Sequence, residues 1–206
     1  QRCSALRLLC IQDDVADRII QMLKGAMTEL RIGNPAELRT DIGPVITAEA
    51  KDRINLYIEA MRSAGHPVTQ ARLAANTGTF VPPTIVEIDR IDQLTREVFG
   101  PVLHVVRYAR EDLDRTIDAV NALGFGLTFG LHTRIDETID RVSARISAGN
   151  IYVNRNMIGA VVGVQPFGGQ GLSGTGPKAG GPLYVRRLVK ERASDNEYDD
   201  ILPGPV

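Results

Sequence analysis

The sequence has no tryptophan, two cysteines, three histidines and only 5% aromatic residues. Two cysteines in 206 residues do not make a disulfide framework, so the fold must rest on a hydrophobic core and the expected compartment is reducing, the cytoplasm. Long apolar runs are missing too. None approaches the roughly 18 residues of a membrane span. Charge of one sign is also missing: 24 Lys and Arg face 25 Asp and Glu, a net charge of −1. Composition therefore gives no case for a nucleic-acid partner or a membrane surface. What is there, 43% hydrophobic and 24% charged residues, is ordinary for a globular chain and excludes collagen-like and wholly disordered readings.

The chain opens Gln1-Arg2-Cys3 and enters an apolar segment, Ala5 to Ile11, almost at once. Chain termini normally lie at a surface, so the expectation is a C-terminal piece of something longer. A turn into a buried strand is expected over Cys3–Ile11. Asp13-Asp14 offers an N-cap to a helix with Val15, Ile19, Met22, Leu23, Ala26, Met27 and Leu30 at helical spacing. Thr47 caps a second helix with Ile54, Tyr57, Ile58 and Met61 on one stripe, stopped by Gly65. Extended segments follow around Val68–Leu73 and Thr79–Ile88, and Pro82-Pro83 argues for an edge or turn in the second. From Val102 to Val153 strand and helix patterns alternate: strand Val102–Tyr108, helix from Asp112, strand Leu127–His132, helix from Asp136, strand Ile151–Val153. That alternation is an α/β pattern, a mostly parallel sheet flanked by helices.

Three places draw chemical attention. Cys3 precedes an apolar strand, and from chemistry alone such a cysteine is more often a packed small hydrophobe than a nucleophile. Cys10 lies inside the apolar run and reads as core. Glu97-Val98-Phe99-Gly100-Pro101 sets a carboxylate beside an aromatic ahead of a Gly-Pro turn. It is either loop punctuation or a ribose ligand with a ring for a flat heterocycle. Between Gly159 and Gly181 glycine recurs too often for a helix or strand period to hold. The order is wrong for a phosphate loop, since no Gly-Lys-Ser/Thr occurs. It suits backbone N–H groups offered to a small carboxylate, or simply a long ordered loop. His66, His104 and His132 have no motif around them and read as structural.

Taken in order, Gln1-Arg2-Cys3-Ser4, Asn34-Pro35 with Asp41-Ile42-Gly43-Pro44, Glu97-Val98-Phe99-Gly100-Pro101, and Gln165-Pro166-Phe167-Gly168-Gly169 with Ser173-Gly174 resemble the landmarks of the aldehyde dehydrogenase superfamily. The likeness covers residues 1 to 190, ahead of a polar tail over 191–206. Gln-Arg-Cys-Ser-Ala together with Gly171 to Tyr184 is similar to the L-glutamate γ-semialdehyde (Δ1-pyrroline-5-carboxylate) dehydrogenase branch. Within that branch it is most like the dehydrogenase module of bifunctional proline-utilisation flavoproteins, where a proline dehydrogenase module precedes it.

The resemblance implies the catalytic domain of that fold, without its N-terminal dinucleotide-binding domain. It implies NAD as cofactor, a small-molecule substrate and a homo-oligomer in the full-length protein. It makes Cys3 the nucleophile: its thiolate attacks the aldehyde carbon, hydride passes to NAD+, and water releases the acid from the resulting thioester. Ser4 and the backbone of Gly180 and Gly181 would hold the substrate α-carboxylate, with Phe167 beside the aldehyde pocket. Glu97 would take the nicotinamide ribose and Phe99 would pack near the nicotinamide. The general-base glutamate and the oxyanion asparagine would precede Gln1, so the piece alone is expected to be inactive. Another semialdehyde or aliphatic aldehyde dehydrogenase, or a non-catalytic remnant of the fold, stay open as alternatives. The tail departs from the expected family ending, which leaves its contacts with a neighbouring subunit open.

Overall fold

The computed structural model describes residues 2–73, 78–161, 163–174 and 176–189. The polar tail expected over 191–206 lies outside the described residues. The chain divides into two compact units, one of Leu6–Ala119, the other of Arg2–Ala5 and the chain from Val120 onward.

The first unit carries a four-stranded sheet in the order β1-β4-β3-β2, with β1 Leu8–Gln12, β2 Val68–Gln70, β3 Thr84–Ile88 and β4 Val102–Tyr108. β1, β4 and β3 run parallel, with Leu8 opposite His104 and Thr84 opposite Val102, while β2 pairs antiparallel at the edge. Neighbouring residues on both central strands are buried, Ile85 with Val86 and Val105 with Val106. A strand covered on both faces needs an apolar run rather than alternation, and that is how these two read.

Helix α1, Asp13–Glu29, follows β1 directly and turns Ala16 and Ile20 into a core with Ile11, Ile85 and Val105. Full burial of each branched side chain contributes about 1.5–3 kcal/mol. The expected aspartate cap does not form: Gln12 holds the N-cap position without a side-chain cap bond, and Asp13 and Asp14 lie in the first turn, where their charge favours the positive end of the helix dipole. The Thr47 cap stands, its oxygen accepting from the Ala50 N–H at 3.1 Å ahead of α2, Ala48–Ser63. Pro82-Pro83 do not mark an edge. They stop where the ladder begins, and Thr84 donates the first N–H of β3, to Pro101, at 2.8 Å. Prolines that end before a strand leave it free to sit inside a sheet.

The second unit begins at the end of α3, Leu113–Ala122. A parallel pair, β6 Thr128–Leu131 and β7 Asn150–Val153, is joined by α4, Asp136–Arg145. A short antiparallel pair joins β5 Phe125–Gly126 to β8 Gln170–Gly171. The strands expected between Val102 and Val153 therefore exist but are shared between two sheets. Two glycines ahead of the glycine-dense stretch stand in close backbone contact. A Cβ on Gly149 would lie 1.8 Å from the Gly168 carbonyl oxygen, and one on Gly126 would lie 2.4 Å from that of Ser147. These glycines let backbone pack on backbone. No helix among the described residues is long and apolar enough to cross a membrane.

Candidate active site

Five of the expected site residues fall in the second unit. The Ala5 N–H donates to the Arg2 carbonyl at 3.1 Å, so Cys3 and Ser4 form the corner of a tight turn. That turn splits their fates: Cys3 is exposed and Ser4 is 2% exposed. The Ser4 hydroxyl oxygen accepts the Gly159 N–H at 2.8 Å, which brings the residue beside the thiol onto the first glycine of the glycine-dense stretch. Further along, Phe167 and Ala179 exchange backbone hydrogen bonds of 3.0 and 2.8 Å, which sets Phe167 opposite the residue before Gly180 and Gly181.

The two glycines differ. The Gly181 N–H donates to the Lys178 carbonyl at 2.9 Å, closing a turn. The Gly180 N–H makes no hydrogen bond among the described residues. Gly180 is exposed, has φ +73° and has open space where a side chain would stand. Of the expected pair, Gly180 is the one with a donor to offer an anion.

A cavity of about 420 Å³ in the same unit is lined by Asn150, Tyr152, Arg155, Gln165 and Lys178, among others. It contains none of the expected site residues. Its cations are engaged, Arg155 over the Tyr152 ring and Lys178 donating to the Gly149 carbonyl.

The other two expected residues lie in the first unit. Val98 is buried, and so its neighbours Glu97 and Phe99 turn outward. Gly100 is held against α2, where a Cβ would come within 2.5 Å of Ile54 Cδ1. That contact explains the Gly-Pro step after the aromatic. Glu97 forms an ion pair with Arg7, and the same guanidinium lies 4.4 Å from the centroid of the Phe99 ring. Arg7 binds Oε1 of the carboxylate. The Glu97 side chain is 44% exposed and Phe99 58% exposed. The carboxylate is thus oriented by one oxygen, with an exposed ring beside it.

Sequence reasoning missed Arg7 altogether, and it missed the pair behind it. His104 is 2% exposed. Its backbone N–H and its Nδ1 both reach the Arg7 carbonyl, at 2.9 and 3.1 Å, and Tyr57 Oη lies 2.8 Å from Nε2. Burial lowers the His104 pKa, outweighing the bond to Arg7 that raises it. The neutral ring therefore donates from Nδ1 and accepts the Tyr57 hydroxyl at Nε2. A lone histidine in an apolar strand was the available signal, and alone it does not name its partners.

The family model described as "Aldehyde dehydrogenase family" matches residues 1–193. The chain is 61% identical to the bifunctional protein PutA of Klebsiella aerogenes over 95% of its own length, which is 15% of that relative. It superposes on a mutant form of Bradyrhizobium japonicum proline utilization A (PutA) with a TM-score of 0.87 and 57% identity, over 91% of this chain and 19% of that one. Against a 1-pyrroline-5-carboxylate dehydrogenase from Thermus, solved with bound NAD, the TM-score is 0.82 at 34% identity, over 90% of this chain and 36% of that one.

Proposed function

The chain belongs to the aldehyde dehydrogenase family, and from that premise we propose that it carries the thiol and substrate-anchoring part of an NAD+-dependent oxidation of L-glutamate γ-semialdehyde to L-glutamate. The observation that carries the reading is the Cys3-Ser4 turn: an exposed thiol whose neighbour is buried and bonded to Gly159. That bond ties the nucleophile to the glycine-dense stretch. The relatives whose names contain PutA or pyrroline-5-carboxylate dehydrogenase support the substrate class.

In this reading the Cys3 thiolate adds to the aldehyde carbon and forms a C–S bond. The oxygen takes up negative charge, which the Cys3 backbone N–H helps to hold. Oxidation of that thiohemiacetal leaves a thioester on Sγ, and water then cleaves the C–S bond to give the carboxylic acid and the free thiol. Gly180 offers its N–H to the substrate α-carboxylate. Ser4, beside the thiol, fixes the turn next to the carboxylate site through its oxygen, while Phe167 borders the aldehyde end. Holding the charged end fixes the aldehyde in attack geometry. Glu97 receives the ribose hydroxyls and Phe99 packs near the nicotinamide. NAD+ supplies the hydride acceptor when bound.

The general base, the oxyanion asparagine and the dinucleotide fold are proposed to come from outside these residues. The chain spans only 15% of the PutA relative. The test follows NADH formation from pyrroline-5-carboxylate. A full-length enzyme carrying this chain is expected to turn over, its Cys3→Ser variant to lose at least 10³-fold in kcat, and the 206-residue chain to show none. An active Cys3→Ser enzyme removes the thiol mechanism, and turnover by the chain alone removes the division of labour.

A further inference from the structure

Arg7 has no place in the reading above, yet it touches both residues assigned to the cofactor. Its guanidinium pairs with Glu97 and covers the Phe99 ring. Its backbone is equally constrained, because the carbonyl accepts two hydrogen bonds from His104. His104 is braced in turn by Tyr57, whose ring lies edge-on to it at 5.6 Å between centroids. Tyr57 also faces the residue next to Glu97: the Arg96 guanidinium stands 5.7 Å from its ring centroid. The loop bearing Glu97 and Phe99 is thus gripped twice, by Arg7 just before β1 and by Tyr57 from α2 through Arg96, and both grips meet at one buried histidine.

A planar guanidinium suits this task. It binds a carboxylate oxygen in a fixed direction while its flat face lies on an aromatic ring. An exposed glutamate without such a partner samples several rotamers, and a cofactor that selects one must offset the lost freedom. With Oε1 taken by Arg7, the second oxygen of Glu97 is left to face a ligand.

We propose that Arg7, backed by His104 and Tyr57, is a positioning residue that presets the Glu97 carboxylate for the nicotinamide riboside end of the cofactor. This rests on the cofactor role proposed above for Glu97. Arg7 lies close in sequence to Cys3 but serves the cofactor, so its loss is expected to raise the Kd and KM for NAD+ and leave the KM for the aldehyde and the Cys3 alkylation rate unchanged.

The experiment is a double-mutant cycle in the full-length enzyme, with NAD+ affinity as the readout. Arg7→Met is expected to weaken NAD+ about tenfold when Glu97 is present, the scale of one charged hydrogen bond. It should have no further effect in a Glu97→Ala background. Equal weakening in both backgrounds, or none while Glu97→Ala does weaken binding, overturns the inference and leaves the Glu97 assignment standing. If Glu97→Ala itself leaves NAD+ binding intact, the assignment falls and the inference with it. Should Arg7→Met fail to fold, Arg7→Lys carries the same cycle. It keeps the charge without the flat fork, so a loss of about threefold is expected with Glu97 present and none without it. Any other pattern overturns the proposal.

Discussion

Cys3 and Cys10 belong to one short stretch of sequence, yet their sulfurs stand in different solvents. Cys3 is exposed at its turn. Cys10 lies on β1, and loss of hydration pushes its thiol up to about 12. Since the thiolate is the reactive species, only about one Cys10 in 10⁴ is ionised at pH 8. Iodoacetamide at pH 8 should therefore label Cys3 much faster than the half-buried Cys10 in the folded chain, as peptide mapping would read. Labelling of Cys10 in the native state at a rate like that of Cys3 contradicts this placement. At this scale the sequence offers a signal only where a motif exists. Cys3, Glu97 and Phe99 could be picked out by resemblance, but Arg7 could not, because its partner Glu97 lies far along the chain and only the parallel pairing of β1 with β4 brings the two together.

Elements were legible wherever one apolar period ran unbroken. The stripes of α1 and α2 and the buried runs of β3 and β4 fell close to their expected places. The glycine-dense stretch was not legible, because glycine has no side chain whose pattern reports a face. Its strand β8 is made by backbone contact alone. Two substitutions, one at Gly149 packed against that stretch and one at Gly180 within it, separate the roles of these glycines. Gly149→Ala puts a methyl group 1.8 Å from the Gly168 oxygen, and neither backbone has a flexible end to move aside. The expected cost is at least about 3 kcal/mol, seen as a lower urea midpoint or no folded protein. Gly180→Asp meets open space at φ +73°, a conformation that aspartate tolerates better than most residues. It should fold, but its carboxylate repels the substrate's own. Oxidation of the amino-acid semialdehyde by the full-length enzyme is expected to fall at least a hundredfold in kcat/KM, while an uncharged aliphatic aldehyde is spared. Equal loss on both aldehydes, or on neither, points instead to the alternative of a plain aldehyde substrate.

Across the first unit as a whole, His104 joins β4 to the residue before β1 and to α2. A proton on that ring therefore bears on global stability rather than on one loop. The buried ring is held neutral, its pKa below the ordinary value of 6.5 because burial strips hydration from the charged form. The neighbouring Arg7 and Arg96 give an imidazolium no anionic partner of its own. In the unfolded chain the same ring takes up its proton near pH 6.5. Below that pH the unfolded state holds more protons than the folded one, and stability falls as pH falls. The fall levels off once the folded ring also protonates; above about pH 7 the contribution is complete. Urea midpoints of the chain at pH 7.5, 6.5 and 5.5 should fall slightly over the upper step and several-fold more over the lower one. His104→Asn should begin lower, by about 1–3 kcal/mol, because it disturbs the bonds to Arg7 and Tyr57. It should then lose most of the drop between pH 6.5 and 5.5, since the carboxylates titrate mainly below that range. A variant that declines as steeply as the parent shows that the proton is bound elsewhere, and the neutral, doubly bonded histidine is then the wrong description of how these elements are joined.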